Sequence, residues 1–66
     1  MRVMVNGEGI EVEDGATVAA LLNQLGLPGD RTVVELSGQV VTREEHTSKV
    51  IADGDTVELI RFVGGG

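Results

Sequence analysis

The sequence predicts an α+β domain: a sheet of four to five strands with one main helix packed across one face. Three observations carry this. Val3 and Val5, then Ile10 and Val12, alternate with polar or exposed-type residues around Asn6-Gly7, the pattern of a hairpin. Val18, Leu21, Leu22 and Leu25 then recur at helical spacing and make one apolar stripe. After that the pattern returns to strand period, ending in the β-branched segment 56–62.

The elements follow in order. Asn6-Gly7 is a turn because both residues tolerate positive φ, and Gly9 marks a bulge in the return strand. Asp14-Gly15 closes that strand. Thr17 is the expected N-cap of the helix, Gly26 its left-handed C-terminal residue, and Pro28 prevents continuation. A third strand presents Val34 and Leu36 to the core, turns at Ser37-Gly38 and returns briefly. The segment 43–48 makes one helical turn, and Asp53-Gly54-Asp55 turns the chain into the last strand. Residues 1–63 form the domain and 64–66 a flexible tail.

Size and composition exclude several function classes. A chain of 66 residues buries only roughly 60% of its unfolded surface, so its aliphatic core must carry the fold. There is no cysteine for a disulfide or thiolate metal site. One Phe and a net charge of −6 argue against nucleic acid, which is bound through aromatic stacking and basic grooves. No apolar run is long enough to span a bilayer, and no signal peptide opens the chain, so the expected location is cytoplasmic, with no membrane partner.

Side-chain chemistry is sparse. His46 is the only histidine and reads as a surface residue beside Glu44 and Glu45. Glu44-Glu45 and Asp53/Asp55 read as solvated or turn carboxylates. The glycines at 7, 9 and 15 do not form a phosphate loop. No catalytic residue and no metal site is expected, and the chain itself binds no cofactor.

The segment 60–66, "IRFVGGG", is the informative one. If Val57 and Leu59 face the helix, Ile60 and Phe62 lie on the open sheet face, and Met4 shares their parity. Met4, Ile60 and Phe62 are therefore candidate partner-docking residues. Gly64, Gly65 and Gly66 read as an arm that lacks Cβ atoms and can enter a narrow channel, with the carboxylate of Gly66 as the reactive group. A frayed end or glycine linker is the plain alternative.

The whole chain resembles the ThiS family, sulfur carriers of thiamine biosynthesis with the β-grasp fold of ubiquitin. The residues that carry the resemblance are Asn6-Gly7, Gly15-x-Thr17-Val18-x-x-Leu21-Leu22, Val40-Val41-x-Arg43, Asp53-Gly54-Asp55 and the "VELIRFVGGG" ending. Thr42 and His46 stand where some relatives carry proline and an aromatic residue. The resemblance implies a mixed sheet with the first and last strands parallel at its centre. It also implies that a ThiF-type enzyme, using ATP and magnesium, adenylates Gly66. Sulfur drawn from cysteine through a desulfurase then makes a thiocarboxylate, which thiazole synthase receives. Carriers for tRNA thiolation, cysteine or molybdopterin synthesis, and ubiquitin-like protein modifiers, share the Gly-Gly ending and stay open as alternatives.

Overall fold

The computed structural model describes residues 1–62. Strands β1 (Arg2–Val5) and β2 (Glu8–Glu11) precede helix α1 (Val18–Leu25). Strands β3 (Thr32–Leu36), β4 (Gln39–Val41) and β5 (Thr56–Arg61) follow. Among the described residues the sheet runs β2-β1-β5-β3-β4. β1 and β5 are parallel neighbours at its centre, and the other pairings are antiparallel. This is the β-grasp arrangement, with one helix lying across one face.

Local sequence explains each boundary. Asn6 (φ 48°) and Gly7 (φ 84°) both occupy the left-handed region, as do Ser37 (φ 51°) and Gly38 (φ 84°), so both hairpins turn through two positive-φ residues. The N–H of Val18 donates to the Lys49 carbonyl, that of Ala19 to the His46 carbonyl, and that of Ala20 to Thr17 Oγ1. The first turn of α1 thus has its otherwise unpaired donors satisfied, two of them by the 42–52 segment. At the other end Gly26 is left-handed, and the Leu27 N–H reaches back to the Leu22 carbonyl at 2.9 Å, closing the helix.

The core lies between α1 and one sheet face. Val3, Val18, Leu21, Val34 and Val57 are fully buried there, and Ile51 joins them from the long connection. Val57 and Leu59 face the helix, as their parity predicts, although Leu59 is only half-buried.

Two expectations are corrected. Gly9 makes no bulge: it pairs regularly with Met4. The space above it is filled by Arg2, whose guanidinium would lie 2.5 Å from a Cβ at that position. His46 is not a surface residue: it is only 6% exposed. Thr42 and Glu45 form a capping box around the 3-10 turn Arg43–Glu45, with the Thr42 N–H and Oγ1 both donating to Glu45 Oε1. That turn swings His46 inward against α1, where it borders a hollow with Leu22, Leu27 and Gly29. The Thr42 hydrogen bonds hold the Glu45 carboxyl below its usual range, helped by Lys49. Among the described residues no helix is long and apolar enough to cross a membrane.

Candidate functional site: the open sheet face and the end of β5

α1 covers one face of the sheet and leaves the other bare. The 42–52 segment does not cover it either, because its carbonyls bind the start of α1 and Ile51 enters the core on the helix side. The open face therefore collects the opposite parity of each strand. Met4 is 39% exposed, Ile60 54% and Phe62 61%, so all three candidate docking residues stand on the surface.

Register decides how they are arranged. Met4 is aligned with Thr56, at the start of β5. Ile60 lies four positions further along that strand, roughly 13 Å away. Ile60 instead has Val33 as its cross-strand neighbour on β3. Between the levels of Met4 and Ile60 stands Glu58, paired with Glu35, which is paired in turn with the exposed Val40. Val33, Glu35 and Val40 are face residues that sequence reasoning did not single out, whereas the parity of the last strand already puts Glu58 with Ile60 and Phe62. The alternation of β3 placed Val33 and Glu35 opposite Val34 and Leu36, but their neighbours depend on register.

The chain's exit from the sheet is tied on both sides. The Phe62 N–H donates to the Arg31 carbonyl at 2.8 Å. On the other side β1 has ended, and the Asn6 side chain replaces it. Asn6 Oδ1 accepts from the Leu59 N–H at 2.8 Å, and Asn6 Nδ2 donates to the Leu59 carbonyl at 3.2 Å. The start of β5 is held by the Asp53–Asp55 turn. Asp53 Oδ1 accepts from the Arg2 N–H, the Gly54 N–H donates to the Arg2 carbonyl, and Asp55 Oδ2 accepts from the Ala52 N–H. These carboxylates are thus structural acceptors in a turn. The candidate arm, Gly64, Gly65 and Gly66, lies outside the described residues.

Comparison with known proteins adds family membership. The ThiS family profile matches residues 2–66. The chain is 33% identical over its full length to a thiazole synthase of Paramagnetospirillum magneticum, of which it spans only 20%. It is 29% identical to the sulfur carrier protein ThiS of Escherichia coli, with both chains fully covered. The crystal structure of the thiamine biosynthesis protein ThiS from Geobacter metallireducens superposes with a TM-score of 0.84, at 36% identity and full coverage of both chains. A match that runs through the helix entry, the open face and the closing glycines covers every feature described above. The chain belongs to the ThiS family.

Proposed function

We propose that this chain is a sulfur carrier of thiamine biosynthesis. The observation that carries this reading is a family match that continues through the glycines to residue 66, on a domain whose last strand runs through the centre of a sheet with one uncovered face. The Gly66 carboxylate attacks the α-phosphorus of ATP on a ThiF-type adenylating enzyme that supplies magnesium, and pyrophosphate leaves. A persulfide, loaded from cysteine by a desulfurase, then attacks the activated carbonyl carbon and displaces AMP, and a partner thiol cleaves the acyl disulfide, forming a disulfide of its own as the thiocarboxylate leaves. The resulting thiocarboxylate donates its sulfur for thiazole formation.

Thiazole synthase is the proposed acceptor. Two thiazole synthases, from Paramagnetospirillum magneticum and Magnetococcus marinus, contain a stretch similar to this whole chain. The chain works as a substrate of its partners and supplies no catalytic side chain. Met4, Ile60 and Phe62 serve as docking residues, while Gly64 and Gly65 carry the carboxylate into the partner's active site. Glycine suits that passage because no side chain widens the arm.

The test is intact mass of the protein co-produced with the adenylating enzyme and a desulfurase. The expected species is heavier by the difference between sulfur and oxygen, and it disappears when Gly66 is deleted. Isopeptide-linked adducts in place of that species would overturn the carrier reading in favour of a protein modifier.

A further inference from the structure

The open face holds a like-charge pair that the fold leaves unanswered. Glu35 and Glu58 are direct partners in the antiparallel β3–β5 register. Their side chains therefore stand next to each other on one face, where like charges repel. Among the described residues the ion pairs lie elsewhere, at Met1–Asp14 and Arg2–Glu11. Apolar residues flank the two carboxylates on two sides, while the exposed Thr56, aligned with Met4, follows Glu58 toward the start of β5. Val40 flanks Glu35, the Val33–Ile60 pair adjoins toward the end of β5, and Met4 lies across the sheet on β1. Apolar residues flanking two adjacent carboxylates resemble a protein-binding surface with its charged centre unmatched.

We propose that this face docks a protein surface presenting one arginine among apolar side chains, with the guanidinium entering between Glu35 and Glu58. The proposal rests on the docking reading above and adds the group that is recognised. Arginine fits better than lysine. Its planar fork offers five donors, enough to meet two carboxylates, and it is the more weakly hydrated cation. The flanking Val40, Val33 and Ile60 shield the contact from water on two sides and strengthen it. A partner surface without a cation would bury two unpaired carboxylates and be rejected, so the pair selects partners as well as holding them. The net charge of −6 steers a basic surface toward the domain before contact.

The experiment titrates the full chain against thiazole synthase and, separately, against the ThiF-type adenylating enzyme of the same organism, at low and high salt. Two variants are compared with the parent: the double substitution Glu35→Gln with Glu58→Gln, and Ile60→Asp. The double variant is expected to melt at a higher temperature, because the repulsion is gone. It is also expected to bind at least one of the two proteins about tenfold more weakly, with a flatter salt dependence. A merely structural role would move stability and affinity in the same direction. Undiminished binding of the double variant to both proteins overturns the arginine proposal. If Ile60→Asp abolishes binding in that case, the docking reading survives alone. If Ile60→Asp also binds both proteins like the parent, the docking reading falls and takes this proposal with it.

Discussion

Asn6 and Leu59 form a bidentate pair: one side-chain amide accepts from the Leu59 N–H and donates to the Leu59 carbonyl. A residue in the first hairpin turn thus acts as one more rung of ladder for the last strand. Replacing Asn6 with Gly keeps the positive φ that the turn requires and removes only this side chain. The expected loss is about 1 kcal/mol of unfolding free energy, with faster hydrogen exchange at the Leu59 amide. An unchanged exchange rate at Leu59 would show that β5 holds its end without the clamp.

Phe62 is the last described residue tied to the sheet, and its ring is largely exposed. Phe62→Asp should therefore leave thermal stability within about 0.5 kcal/mol of the parent while weakening partner binding. Calorimetric melting and a binding titration check the two halves. Loss of the fold would place the ring in a structural contact instead.

Leu21 is fully buried at the centre of the α1–sheet contact. Leu21→Ala removes its contacts and leaves a cavity, at a cost of about 2–5 kcal/mol. A 66-residue domain has only roughly 3–10 kcal/mol in total. Urea unfolding should show a midpoint much reduced, or a chain already partly unfolded in buffer.

The Thr42–Glu45 capping box has a pH signature. Its hydrogen bonds lower the Glu45 carboxyl below the usual glutamate range, so the folded state favours the ionised form. The contribution is present in full above the ordinary glutamate pKa and is lost as pH falls through the lower folded value. Amide exchange in the 42–49 segment should quicken selectively over that acid window, and Thr42→Ala should abolish the selectivity.

Local chemistry was legible from the chain alone. Asn6-Gly7 and Ser37-Gly38 announce their turns because few residues accept positive φ. Thr17 and Gly26 bracket the helix because unpaired donors and acceptors at its ends need those partners. The parity of residues 57–62 separates a core side from an open side. His46 escaped this reasoning. Its neighbours in sequence are charged, and the contacts that bury it come from α1 and Gly29, which are distant along the chain.

What the sequence by itself determined is the list of elements, the helix caps, the side of the last strand that each residue faces, and the family. Those depend on contacts within a few residues, or on patterns that run along one segment. What only the tertiary structure decided is lateral placement. Register set Met4 beside Thr56, brought Glu35 against Glu58 and gave Ile60 the neighbour Val33. Asn6 met Leu59 across 53 positions of chain. Strand pairing is a property of two segments at once, and a shift of two residues along either strand would preserve every facing while changing every neighbour.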